Sequence, residues 1–272
     1  MDSLVSFIVP THNASSSIDR CLTSIVNQDY SNLEIICCDD ASTDDTWEKL
    51  KKWAEKDKRI FIIKNETNLR AAASRNKCLE VAKGEYVAQL DDDDYCAPNR
   101  ISEQVSFLIN NKNISFVSTG LYLFDEDGIY SRTSIKEGYI PEKKDFLWNN
   151  CFSNPSITFR RDCLMAVGGY RIAKETRRSQ DYDLMMRLYS SGYLGYVMPD
   201  CLTYYYRGRN SYGKCKYEYR IDEAKIRFKN FKKLGLLPRY FFYVLKPLVV
   251  GLIPIRTVEK IKLFLGFKIS NY

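Results

Sequence analysis

Short apolar runs alternate with helix-period segments between residues 5 and 90 of this 272-residue chain. The run VSFIV (5–9) predicts a buried strand. After the turn-rich PTHNASS, the residues Ile18, Cys21, Leu22 and Ile25 recur at i, i+3, i+4 and i+7, which predicts an amphipathic helix with Ser16 or Ser17 as N-cap. LEIICC (33–38) predicts a second strand, and DDASTDDT leads into a helix carrying Trp47, Leu50 and Trp53 on one face. IFIIK (60–64) predicts a third strand, residues 70–82 a helix, and EYVAQL (85–90) a fourth strand that stops at four consecutive aspartates. Such alternation belongs to an α/β protein with a parallel sheet. Beyond residue 115 the period is less regular: FVSTGLYLF and the turn DEDG (125–128) predict strands, LMMRLY (184–189) a helix, and YLGYV and LTYYY two further strands. There is no internal repeat and no low-complexity linker. Composition turns basic near residue 213, which divides the chain into a body (1–213) and a tail (214–272).

That division carries most of the charge information. The chain has a net charge of +7, but residues 214–272 hold fourteen Lys or Arg against four Asp or Glu, leaving −3 for the body. A basic, aromatic tail on a mildly acidic body predicts an anionic partner for the tail. With 45% hydrophobic and 28% charged residues, disorder is excluded. The N-terminal residues lack a basic cluster and run directly into a strand, so no secretory signal is expected and the protein is expected in the cytosol. Nine cysteines, at 21, 37, 38, 78, 96, 151, 163, 201 and 215, include no Cys-x-x-Cys pair, which argues against a zinc site or a disulfide framework.

In an open parallel sheet, ligands bind beyond the carboxyl ends of the strands. Those positions are polar here: Thr11, His12 and Asn13 after the first strand, Asp39 and Asp40 after the second, Asp91, Asp92, Asp93 and Asp94 after the fourth. Unit charges about 4 Å apart repel by ~4 kcal/mol at an effective dielectric near 20, so the aspartate run calls for a cation. An incomplete set of hard oxygen ligands suits Mg²⁺ or Mn²⁺ shared with substrate phosphates. His12 is the only histidine, and beside a proline in a strand-end turn it is read as a structural or base-stacking ring rather than a proton acceptor.

Six segments in this order, VSFIVPTHN, LEIICCDDASTDDT, NLRAAASRN, GEYVAQLDDDD followed by Pro98, VGGYR and SQDYDLMMRL, occupy residues 5–188 of a region that runs from 5 to about 207. Together they resemble the inverting family 2 glycosyltransferases of GT-A fold, a Rossmann-like nucleotide-binding mixed sheet flanked by helices. The basic tail would then be a helical appendage. The resemblance implies an enzyme of the hexosyltransferase class, with Pro10, Thr11, His12 and Asn13 under the donor base and ribose. It implies that Asp40 accepts from the uracil imide and that Arg75 contacts the donor. It also implies that Asp91 to Asp93 form an Asp-x-Asp motif, with Asp92 near ribose and Asp93 on the metal. Asp181 falls at the position of the family's base, which takes the acceptor's hydroxyl proton as that oxygen attacks the anomeric carbon. A carboxylate with the ordinary value near 3.9 is ionised at neutral pH without special tuning. The sequence departs from the family pattern at Arg70 and Cys78, where glycines are usual, at Gln180 in place of Glu, and at Asn154 in place of His. Arg70 within TNLRAAAS, with the basic tail, is similar to a bacterial exopolysaccharide or capsule subset.

The resemblance therefore implies metal-dependent transfer of a single sugar from a nucleotide donor, a UDP-sugar, to a hydroxyl of a glycan or polyprenyl-linked acceptor. A catalytically silent member of the fold that binds a protein partner is the alternative. A nucleotidyltransferase would carry a Gly-rich phosphate loop near the first strand, and a processive synthase would carry Gln-x-x-Arg-Trp and a set of membrane helices. Neither signal is present. The tail segment YFFYVLKPLVVGLIPI (240–255) is too short and too interrupted by Lys246 and two prolines to span a bilayer. It fits either an interfacial element on the inner face of the membrane or a helix pair packed over the body. No nucleic-acid-binding motif accompanies its charge.

Overall fold

The apolar runs become the strands of one nine-stranded mixed sheet in the computed structural model, which describes residues 3–133, 135–208 and 216–253. β1 (Val5–Thr11), β2 (Leu33–Asp39), β3 (Ile60–Lys64) and β4 (Tyr86–Gln89) are parallel, in the order β3-β2-β1-β4. Between them run α1 (Ile18–Val26), α2 (Thr46–Lys56) and α3 (Ala71–Val81), as the helix period predicts. Alternate residues of β1 and β2 enter two cores on opposite faces of the sheet. Ile8, Ile36 and Cys38 face one, and Phe7, Val9, Ile35 and Cys37 the other. That two-sided burial explains why these strands read as continuous apolar runs.

The first strand is two residues longer than its apolar run: Pro10 pairs with Cys38 and Thr11 with Asp39 inside the ladder. Ser17 precedes α1 but does not cap it. Its hydroxyl donates back to the Ala14 carbonyl at 3.4 Å.

The second half completes the sheet with antiparallel and parallel pairs. β5 (Tyr95–Cys96), α4 (Arg100–Asn110), β6 (Phe116–Asp125), β7 (Gly128–Arg132), β8 (Thr158–Arg160), α5 (Arg161–Ala166), α6 (Gln180–Ser190) and β9 (Gly195–Tyr206) follow. The sheet order continues β4-β8-β6-β9-β5, with β7 hairpinned to β6. The two strands expected at YLGYV and LTYYY are a single strand, β9. Its pairing to β6 shifts register where residues 198–200 pass Thr119, and Pro199 lies in that irregularity. A proline has no N–H for the ladder and is tolerated at such a bulge, so the break in pattern marks a kink rather than a turn.

From the basic tail, α7 (Tyr217–Lys233) packs on the same core as β1 and β2 through Ile226 and Phe231. Its buried Arg227 donates to the Leu147 carbonyl at 2.8 Å, and Asn230 Nδ2 donates to Asp183 at 2.9 Å. α8 (Phe242–Leu252) follows, with Val244 and Pro247 buried. No helix among the described residues is long and apolar enough to cross a membrane. Cys215 and residues 254–272 of the tail lie outside the described residues, and the eight described cysteines are all free.

Asp183 is the joint between body and tail. Its fully buried carboxylate is paired with Arg171 at 3.0 Å and Arg187 at 2.8 Å and also accepts from Asn230. Burial pushes its pKa up, but the hydrogen bonds from Arg171 and Asn230 and the charge of Arg187 hold it below the usual carboxylate value. Asp183→Ala would leave Arg187 without its counter-charge and Arg171 with Glu175 alone, so chemical denaturation should show a loss of about 3 kcal/mol. A loss under 1 kcal/mol would mean that the cluster does not hold the two parts together.

Candidate active site

The polar residues after β1, β2 and β4 meet at one edge of the sheet, on either side of the point where the strand order reverses around β1. The His12 N–H donates to Asp92 Oδ2 at 2.8 Å, which ties the end of β1 to the aspartate run. Asn13, at φ 52°, donates its N–H to Ser42 Oγ and accepts the Thr43 N–H at 2.8 Å. The His12 ring contacts the Asp40 carbonyl through Nδ1 at 2.9 Å and lies 3.2 Å from the Asn68 amide. The exposed His12 and Asn13 thus sit on a floor stitched to both neighbouring strand ends, over the buried Pro10 and Thr11.

Asp40 organises the next loop. Its buried carboxylate accepts from Asn65 Nδ2 at 2.7 Å, from the Leu69 N–H at 2.8 Å and from the Arg70 N–H at 2.7 Å. A carboxylate offers about four acceptor positions, so three are used in holding the loop and one is left for a ligand. Arg70 has φ 73° and ψ 162°, a region that glycine occupies without cost. The family's glycine at this position therefore answers a real backbone requirement. Here Asp40 holds an arginine in the same conformation through its N–H.

The four aspartates take different partners. Asp91 forms an ion pair with Arg75 Nη2. Asp92 receives the His12 N–H, and Asp94 is fully buried and receives the Tyr206 N–H at 2.8 Å. Asp93 has no ion pair within 4 Å among the described residues. Arg20 instead donates to its backbone carbonyl at 2.7 Å. Burial, with repulsion from the neighbouring carboxylates, pushes Asp92 up to about 7 and Asp93 up to about 6. Asp94 is raised further for the same reasons.

These residues fit a hard divalent cation: several carboxylates crowd one strand end, with too few cations of their own. Among the described residues no three acidic, His or Cys side chains form a ready-made cage. That suits a cation whose remaining ligands come from a phosphate group rather than from the protein.

Across the edge stands Arg75, buried on α3. Its guanidinium lies 5.5 Å from the Tyr170 ring centroid, and its charge acts on Asp91, Tyr170 and Asp181 together. Nε and Nη1 are buried without a hydrogen-bond partner, so an anion reaching this site finds two unused donors. Asp181, in the first turn of α6, accepts from Asn150 Nδ2 at 3.1 Å. Burial raises its pKa; the Tyr182 N–H, Asn150 and Arg75 counter only part of that rise, so this carboxylate is tuned after all.

Tyr170 and Asn150 were not among the expected site residues. Tyr170 is fixed by a reciprocal pair of 2.8 Å bonds with Asn76 of α3, and its hydroxyl accepts from Gln89. The flanking Gly169, at φ 62°, lies so close to Asn76 that an added Cβ would stand 2.6 Å from its Oδ1. The VGGYR segment is therefore a docking turn that places Tyr170 against Arg75, and its pair of glycines was the available signal. Asn150 lies in an irregular loop that gives no such signal.

Two outcomes follow from this geometry. Folded-state values raised above the unfolded value near 3.9 mean that the unfolded chain ionises first. The ligand-free protein should then lose stability as pH rises from about 4 to about 7. Asp92→Asn, which still accepts from His12, should recover about 1–3 kcal/mol at pH 7.5 and nothing at pH 4 in urea denaturation. Equal effects at both pH values would remove the electrostatic explanation. Arg70→Gly should stabilise the protein by about 1 kcal/mol, the relief of the φ penalty less the added chain entropy; a destabilised variant would show that the arginine side chain contributes more than its backbone costs.

Residues 6–168 match the family described as Glycosyl transferase family 2. EpsE of Bacillus subtilis (strain 168), a glycosyltransferase by assignment, is 33% identical over 257 residues, covering 94% of this chain and 92% of its own. The Escherichia coli protein WfaP, a UDP-Glc:alpha-D-GlcNAc-diphosphoundecaprenol beta-1,3-glucosyltransferase, is 30% identical over 251 residues, 90% of this chain and 94% of its own. Among solved structures, S. aureus TarS in complex with UDP-GlcNAc superposes with a TM-score of 0.67 at 21% identity, over 89% of this chain and 73% of that one. Mannosyltransferase PcManGT from Pyrobaculum calidifontis, in complex with GDP-Man and Mn²⁺, superposes with a TM-score of 0.61 at 21% identity, over 99% of this chain and 82% of that one. The structural likenesses establish the GT-A fold, and the sequence matches establish the lineage: this chain belongs to glycosyltransferase family 2 and is a glycosyltransferase.

Proposed function

We propose that this enzyme transfers one sugar from a UDP-sugar to a hydroxyl of a glycan or lipid-linked acceptor in surface polysaccharide synthesis, with inversion and with Mg²⁺ or Mn²⁺. The observation that carries this reading is the placement of Arg75, a buried cation acting on both Asp91 and Asp181, with two hydrogen-bond donors unused. A donor diphosphate would satisfy those donors. The names of the relatives support the donor and acceptor classes: WfaP is named for a UDP-sugar and a diphosphoundecaprenol acceptor, and TarS was solved with UDP-GlcNAc. PcManGT, solved with Mn²⁺, supports the cation.

In this reading Pro10, Thr11, His12 and Asn13 form the floor under base and ribose. The remaining acceptor position of Asp40 takes the uracil imide N–H, and Asp92 lies near ribose. Asp93, with Asp91 beside it, would hold the cation, which when bound neutralises charge on the departing diphosphate. Asp181 accepts the acceptor's hydroxyl proton while that oxygen forms the new bond to the anomeric carbon and the bond to diphosphate breaks. Asn150 fixes the carboxylate's orientation through its amide. The raised pKa makes Asp181 a stronger base than an ordinary aspartate, at the cost of a turnover that falls as pH drops through that raised value. Residues 1–213 are the catalytic body, and 214–272 an appendage.

Purified protein should be assayed for binding and slow hydrolysis of UDP-, GDP- and TDP-sugars, with Mn²⁺ or with EDTA. Binding of a UDP-sugar that requires Mn²⁺ and disappears in Asp93→Ala is the expected result; no binding across the panel would overturn the proposal. Asp181→Asn should keep donor affinity and lose about 10²- to 10⁴-fold in turnover. Unchanged turnover would remove Asp181 from the role of base.

A further inference from the structure

The two most exposed large apolar side chains among the described residues, Phe242 and Leu252, lie on one helix. On α8 the residues Phe242, Leu245, Val249 and Leu252 follow the i, i+3, i+7, i+10 spacing of one helical stripe. Phe242 is 82% and Leu252 74% exposed, and Trp148, on the loop beneath, is 61% exposed. Phe241 extends the same surface. The opposite side of the helix buries Pro247 and places Val244 in the core, so the stripe faces outward.

The charge along this stretch of chain is mainly of one sign, and the acids just before it, Asp222 and Glu223, are paired with Lys225, Arg220 and Arg227. Residues 224–253 contain seven Lys or Arg and no Asp or Glu. Lys232, Lys233 and Arg239 are exposed, and Lys246 lies over the Trp148 ring, 5.0 Å from its centroid. An apolar stripe with an indole at its edge and a cationic border is complementary to an anionic lipid surface. The rings and aliphatic chains enter the acyl boundary, and the cations meet the headgroups.

The same loop leads to the candidate base. Lys246 Nζ donates to the Trp148 carbonyl. Arg227 donates to the carbonyls of Leu147 at 2.8 Å and Trp148 at 3.2 Å. Tyr243 packs edge-on against Trp148 at 5.3 Å. Two residues further on, Asn150 donates to Asp181. A short, heavily bonded loop thus connects the exposed stripe to the carboxylate.

We propose that the α8 stripe and Trp148 seat the enzyme on an anionic bilayer, and that the loop 147–150 sets the height of Asp181 above it. A hydroxyl carried on a lipid anchor is then presented to the base at a fixed distance. The role given to Asp181 rests on the function proposed above; the seat itself does not.

The test uses the full chain and two readouts. In flotation, the protein should bind phosphatidylglycerol-containing vesicles at least tenfold more strongly than pure phosphatidylcholine vesicles. Phe242→Ser combined with Leu252→Ser, both on the surface, should lower that binding at least tenfold while donor binding in lipid-free buffer stays unchanged. Brominated acyl chains should quench tryptophan emission, and the quenching should be lost in Trp148→Phe. Undiminished vesicle binding by the double variant, equal affinity for both vesicle types, or unquenched Trp148 would each overturn the seat. So would the absence of vesicle binding, the result expected where residues 254–272 or a second copy of the chain cover the stripe. Vesicle binding with no response to any nucleotide-sugar would uphold the seat and refute the proposed function, so the two fail separately.

Discussion

Four carboxylates on consecutive residues repel one another, and a chain that carries them at the end of a strand must give each a different environment. The structure does so by sending them to four places. Asp91 turns to Arg75 on α3, Asp92 to the backbone of β1, and Asp94 inward to the backbone of β9. Among the described residues, Asp93 alone has neither an ion pair nor a hydrogen bond from another element to its carboxylate. Each of the three engaged residues also fastens a different element to the end of β4, so the repulsion is converted into a joint between α3, β1 and β9. The carboxylate left over is the one to which the proposed function assigns a cation from outside.

A similar division of labour appears on α6. Successive residues on a helix are turned by about 100°, so Asp181 and Asp183 point to nearly opposite sides. Asp181 faces the site and keeps a carboxylate that burial makes more basic. Asp183 faces the core, where Arg171, Arg187 and Asn230 surround it and hold its pKa down. Two aspartates in similar sequence surroundings thus acquire opposite characters from their neighbours alone. The second fixes the position of the helix that presents the first.

The parallel half of the sheet was legible because each element there has a single, local cause. Buried strands such as LEIICC need an unbroken apolar run, and α1 needs Ile18, Cys21, Leu22 and Ile25 on one stripe. The polar residues that follow these strands identified the edge of the sheet at which they meet. The second half depends on long-range pairing that leaves little local trace. β5 has two residues and β8 three, too few for any period, and the kink at Pro199 made β9 look like two strands. Residues that work through a neighbour were also invisible. Tyr170 matters because Asn76 and Arg75 lie beside it, and Asn150 because its loop passes Asp181. Burial, which shifts the basicity of Asp181, is a property of the assembled fold and has no counterpart in the order of residues.

The unshielded charge at the end of β4 also has a consequence for the life of the protein in a cell. Ligands that bind only the folded form shift the folding equilibrium in its favour by mass action. In the proposed function the donor's diphosphate arrives with a divalent cation, and that cation would also offset a repulsion that the empty protein must bear. A cell short of nucleotide-sugar would therefore hold its copies in their less durable form, open to proteolysis more often, and a cell well supplied would keep them longer. Enzyme abundance would then follow precursor supply without any dedicated regulator, through the same aspartates to which the proposed function assigns the cation and the donor.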